Sequence, residues 1–135
     1  MDTLATFDDI VDRLVDWATE KEILRALWLE GESLTAVRRP YPGLEVHLCA
    51  DEPAYPQLFA ALEDDLKSVV GANVVEVADT QRFAKWLDCQ IGDLKFAVIA
   101  EQSHLLAKRP RAEVIPLVDK TGHLPHVLNY SLRRR

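Results

Sequence analysis

The spacing of apolar positions divides the chain cleanly near its start. Phe7, Ile10, Val11, Leu14, Val15, Trp17 and Ala18 recur at helical intervals and predict an amphipathic helix from Thr6 to about Glu20. Thr6 suits its N-cap, and Asp8 and Asp9 sit in the first turn, where the helix dipole favours negative charge. After the polar break "EKE", the run "ILRALWLEG" is too apolar for a half-exposed strand and predicts a central strand buried on both faces. Residues 32–43 carry turn and basic residues and predict a loop. In "LEVHLCA", Leu44, Val46 and Leu48 then alternate with Glu45, His47 and Cys49, the period of a strand.

Helical spacing returns in "DEPAYPQLFAALEDDLKSVVG". Leu58, Phe59, Leu62, Leu66, Val69 and Val70 form the stripe, Pro53 or Pro56 suits the first turn, and Gly71 suits the C-terminal cap. "NVVEVAD" predicts a third strand, and "FAKWLDCQ" with "LKFAVIA" a hairpin turning at Ile91-Gly92-Asp93. A short helix over "AEQSHLLAKR" and a strand over "AEVIPLVD" follow, and "HLPHVLNYSLRRR" shows no strong pattern. The predicted order, α-β-loop-β-α-β-β-β-α-β, is that of a single mixed α/β (α+β) domain.

Charge refines this picture. The net charge of −6 argues against a general nucleic-acid binder, since phosphate neutralisation needs a basic surface. The balance is uneven: residues 1–30 hold eight acids and three bases, while from Leu106 onward seven bases face two acids. No apolar run approaches the ~20 residues of a membrane span, and "MDTLATFDDI" is unlike a secretory signal, so a cytoplasmic protein without a membrane partner is expected. Cys49 and Cys89 lack metal-type spacing and read as small buried hydrophobes rather than a disulfide.

Two stretches carry a resemblance. "ALWLEGESLTA…LEVHLCADEPAY" places a glycine turn between two strands, and "GDLKFAVIAEQSHLLAKRPRAEVIPLVDKTG" runs strand, short helix and strand into Val-Asp-Lys-x-Gly. Together, over roughly residues 7–124, they resemble the N-terminal domain of the aminoglycoside (streptomycin-type) adenylyltransferases of the nucleotidyltransferase superfamily. The resemblance implies a mixed sheet flanked by helices over 1–124, with 125–135 as a basic C-terminal tail. It also implies a nucleotide site at Gly31, Glu32 and Ser33, with Arg38 and Arg39 placed to grip an anion; the plainer reading of these two is solvated loop arginines.

The family's chemistry requires more. Its transfer depends on metal ions that bridge phosphate oxygens, held by two aspartates spaced i, i+2 on the second strand and a third carboxylate from a neighbouring strand. Here Glu32 sets an anion beside the glycine, where it would repel a triphosphate. The aspartate pair falls on Pro42 and Leu44, on Gly43 and Glu45, or on Glu45 and His47, depending on register. The third acid aligns with Phe96. The family's C-terminal helical domain has no counterpart in the segment after Gly122.

The expected function is therefore that of a catalytically inactive nucleotidyltransferase-fold protein, a binding or protein-interaction module without cofactor or metal. Its expected partner is a second copy, as a homodimer, or a helical protein, with a nucleotide as the small-molecule candidate. Two alternatives stand beside it. One is a divergent transferase using Glu45 and His47, with Glu32 or Asp88 in support, for which Mg²⁺ and nucleotide would be required. The other is a plain α/β regulatory or structural domain. Glu45-x-His47 also has the donor types of a zinc or manganese pair, although the polar face of an ordinary strand accounts for it more simply. His123 and His126 have near-ligand spacing but no accompanying acid or cysteine. Trp17, Trp28 and Trp86 read as core packing.

Overall fold

The computed structural model describes residues 7–30, 44–81, 84–108, 112–120 and 130–132. Helix α1 (Phe7–Glu20) precedes strands β1 (Ala26–Glu30) and β2 (Leu44–Ala50). Helix α2 (Tyr55–Val70) leads to β3 (Val74–Gln81), β4 (Ala84–Ile91) and β5 (Leu94–Gln102). A 3-10 helix (Ser103–Lys108), β6 (Ala112–Asp119) and β7 (Tyr130–Leu132) follow. The strands form one mixed sheet in the order β3-β4-β5-β2-β1-β6-β7.

The order divides the sheet into two antiparallel groups. β3, β4 and β5 are joined as a meander, and β2, β1 and β6 make a second antiparallel set. The groups meet along the parallel pair β2–β5, in which Leu44 is opposite Phe96, His47 opposite Ile99 and Cys49 opposite Glu101. A parallel neighbour cannot be reached through a tight turn. The chain between them accordingly runs through α2 and the rest of the meander before returning beside β2.

Both helices cover the same sheet face. Ile10, Val11, Leu14 and Ala18 of α1 and Leu58, Leu62, Leu66 and Val70 of α2 pack on Leu27 and Leu29 of β1, Val46 and Leu48 of β2, and Phe96 and Val98 of β5. The period-two alternation sends Ala26, Trp28 and Cys49 to the opposite face, where they form a second cluster with Leu106 of the 3-10 helix and Val114 of β6. β1 is thus interior and buried on both faces, as its unbroken apolar run predicts.

Local chemistry sets the element ends. Pro56 sits in the first turn of α2, and Gly71 closes the helix at φ 70°, ψ 31°, the left-handed conformation that a side chain would strain. Ile91 pairs with Leu94 across Gly92-Asp93, and Gly92 takes φ 56°, as a II′ hairpin demands of its first central residue. One charged side chain pins the meander to α2. Lys85, 4% exposed, donates from Nζ to the Phe59 carbonyl at 2.7 Å and to Glu63 at 2.8 Å, and lies over the Phe59 ring.

Several elements differ from the sequence reading. The expected helix over 100–109 begins as strand, because Ala100, Glu101 and Gln102 continue the pairing with β2, and only Ser103–Lys108 turn helical. Part of the expected tail, Tyr130–Leu132, forms β7 parallel to β6. β3 starts one residue later and runs two residues further than expected, with a bulge between Val77 and Asp79. Trp28 is fully buried, but Trp86 is 36% exposed and is not a core residue.

Leu62 is fully buried between α2 and the sheet, whereas Asp64 points outward. Leu62→Ala is expected to cost about 2–5 kcal/mol and Asp64→Ala no more than about 0.5 kcal/mol, measured by urea denaturation of each variant against the parent.

Candidate functional site

The sheet face turned away from the helices carries the polar chemistry. On β2 it displays Glu45, His47 and Cys49, on β1 Trp28, and on β5 Ala97, Ile99 and Glu101. Because β2 and β5 are parallel and in register, Glu101 lies diagonally ahead of His47, while Glu45 lies two residues behind it on the same strand. Nδ1 of His47 is 2.6 Å from Oε2 of Glu101, and Nε2 is 2.8 Å from Oε1 of Glu45. The three side chains are 6%, 12% and 19% exposed, so both contacts form largely out of water. Trp28 stacks on the imidazole at 5.6 Å between ring centroids and 21° between planes.

Glu45 and His47 were the residues expected to act if the chain were an enzyme, and the fold does bring them together. Glu101 and Trp28 were not singled out. The signal for Glu101 was present in "KFAVIAEQ": Ala97, Ile99 and Glu101 share one face of a strand, and a carboxylate at its end needs a partner. The partner strand, however, is fixed by tertiary pairing. Phe96, the residue aligned with the family's third acid, belongs to the helix-facing core and points to the opposite side from Glu45 and His47. The carboxylate that β5 does contribute to that pair is therefore Glu101.

Asp88 is on β4, two strands from β2 and level with Glu45, which puts it roughly 10 Å away. Its Oδ1 accepts a hydrogen bond from Nε1 of Trp86 at 3.1 Å. Gly31, Glu32, Ser33, Arg38 and Arg39 lie outside the described residues, as do His123 and His126.

The geometry restricts the chemistry. Glu45 and Glu101 approach opposite nitrogens of one ring, and a cation can take only one of those nitrogens. The three groups do not converge on a common point, and no set of three potential metal ligands occurs among the described residues. With each ring nitrogen at hydrogen-bond distance from a carboxylate, His47 offers no lone pair to a substrate proton in this arrangement. What the cluster does supply is one short contact within β2 and one, His47 to Glu101, bridging β2 to β5.

Nearby ionisable groups are suppressed. Burial raises the Cys49 thiol to about 11, with the Glu101 and Asp51 carboxylates adding to the effect. Burial likewise raises Cys89 to about 12. Tyr55, whose hydroxyl donates to the Ala100 carbonyl at 3.1 Å, is raised to about 12 by burial and then by Glu101. Cys49 and Cys89 are free, buried and on opposite faces of the sheet, in keeping with the expectation of two inert thiols.

No protein-family model matches the chain, and no curated protein matches it. The described helices are also neither long nor apolar enough to cross a membrane.

Two outcomes follow. His47→Ala leaves two carboxylates facing each other without their bridge and is expected to cost about 3–5 kcal/mol in urea denaturation. At pH 8 the native protein should react with a thiol reagent far more slowly than a free cysteine does, both thiols becoming reactive only on unfolding.

Proposed function

We propose that the chain acts by binding, as a non-catalytic domain of nucleotidyltransferase-like architecture, and not by transferring a nucleotidyl group. The observation that carries this reading is the engagement of both His47 ring nitrogens by Glu45 and Glu101. A metal-assisted transferase needs carboxylates converging on a cation at this face. Here the imidazole stands between them.

The architecture supports the nucleotidyltransferase-like part of the proposal. β1 and β2 are antiparallel neighbours, and β5, the strand expected to hold the third acid, lies beside β2. The same topology argues against a plain α/β domain with no such relationship. The partner in this reading is a protein, either a second copy or a helical chain. The exposed Trp86, on the outer half of the meander, is the described aromatic best placed to meet it.

A divergent transferase using Glu45 and His47 is the alternative. The presence of Glu101 on the same face, from a different strand, favours it to that extent. Thermal-shift titrations with ATP, GTP, CTP and UTP, each with and without Mg²⁺ or Mn²⁺, separate the readings. A ligand at about 100 times its Kd stabilises a fold by about 2.7 kcal/mol, which is several degrees at this size. The binding-module reading predicts that no nucleotide gives a shift requiring the metal. A metal-dependent shift would establish the alternative.

A further inference from the structure

The cluster that argues against catalysis has a property of its own. A neutral imidazole has one N–H and one bare nitrogen lone pair. At 2.6 and 2.8 Å from two carboxylates, each ring nitrogen needs a proton in the gap, since a lone pair facing a carboxylate at that distance is repulsive. Two gaps require two protons. Imidazole is more basic than a carboxylate, about 6.5 against about 4.3 for their unperturbed values, so both protons belong on the ring. The Trp28 face supports the same state, because an indole stacked within about 6 Å attracts a cation.

We infer that His47 is held as an imidazolium between Glu45 and Glu101, forming a proton-dependent clasp across the parallel β2–β5 seam. Each end of the clasp is tied to a different group of strands. Glu45 and His47 belong to the β2-β1-β6 set, and Glu101 ends the β3-β4-β5 meander just before the 3-10 helix that covers Trp28 and Cys49. Losing the ring proton sets a lone pair against one carboxylate. That contact must then open, loosening the seam where the two groups of strands meet. The clasp is closed at acidic to neutral pH and opens as pH rises.

The surrounding charges are accounted for element by element among the described residues. β2 presents Glu45 and Cys49 on this face, and β5 presents Glu101. β1 contributes Trp28 and Ala26, with Glu30 at its end, β6 contributes Val114 and, opposite Ala26, Asp119, β4 contributes Trp86 and Asp88, and the 3-10 helix contributes Leu106 with Ser103. At the exit of β2, Asp51 pairs with Arg25 at 3.4 Å and Glu52 with His104 at 3.7 Å. Through the sheet, Tyr55 senses the Glu101 charge. The thiols and Tyr55 stay protonated in the folded state, while the thiols of the unfolded chain begin to lose protons above about pH 7.5, so a window from about pH 7 to about pH 7.5 isolates the imidazole.

In that window the unfolded chain carries a mostly neutral histidine and the folded chain one extra proton. The unfolding equilibrium constant should therefore rise by close to tenfold per pH unit. The test combines long-range ¹H–¹⁵N NMR of the histidine rings with urea denaturation at several pH values, on the full chain and on Glu101→Gln and Glu45→Gln. His47 is identified as the ring resonance that moves most in the Gln variants, so no variant lacking the histidine has to fold. The clasp predicts both ring nitrogens of His47 protonated at about pH 7.5 and a flatter pH dependence in both variants. A neutral His47 ring at that pH overturns the inference. So does a tenfold slope that survives unchanged in the variants. Neither outcome depends on whether the domain binds a nucleotide.

Discussion

The parallel contact between β2 and β5 is the constraint around which this sheet is arranged. Every other described pairing, apart from the short β6–β7 pair at one end, is antiparallel and lies within one of two strand groups. The β2–β5 pair alone joins those groups within the sheet. On one face the seam is closed by α2, whose Leu58, Leu62 and Leu66 pack over both groups, with Lys85 tying β4 to the Phe59 carbonyl and Glu63. On the other face it is closed by a charged clasp, His47 between Glu45 and Glu101, under the Trp28 ring. Hydrophobic burial accounts for the first closure. The second depends on a proton, and that gives the two faces different responses to pH.

The polar face bears directly on function. A strand that displays a carboxylate and an imidazole two residues apart can serve catalysis, metal binding or structure, and spacing alone does not separate these uses. What separates them is where the neighbouring strand sends its own carboxylate. Glu101 meets the nitrogen that Glu45 does not, so the ring becomes a bridge and not an exposed base. The proposed role as a binding module follows from that occupancy.

Much of the fold was legible in local patterns. The stripes of α1 and α2, the double burial of β1, the alternation of β2 and the Gly92 turn follow from periodicity and backbone chemistry that a short window contains. The errors fell where long-range pairing overrides local preference. Ala100 to Gln102 have a helical look in isolation, yet they extend β5 because β2 offers them partners. Tyr130–Leu132 join the sheet through a parallel contact with β6 that no nearby residue announces. The site was half legible for the same reason. Glu45 and His47 declare themselves by their spacing on one strand, while Glu101 and Trp28 join them only through the registers of β5 and β1. Trp86 shows the converse: an aromatic residue in a strand looks like core, but Trp86 sits on β4, on the sheet face turned away from the helices, and is 36% exposed.

The central claim is that His47 and Glu101 act on each other across the seam, and a double-mutant cycle on this pair tests it most directly. Stabilities of the parent, His47→Gln, Glu101→Gln and the double variant would be measured by urea denaturation at neutral pH. The account predicts a favourable coupling of at least about 1 kcal/mol, within the range found for residues in direct contact. Additivity to within about 0.3–0.5 kcal/mol, as seen for independent sites, would contradict it.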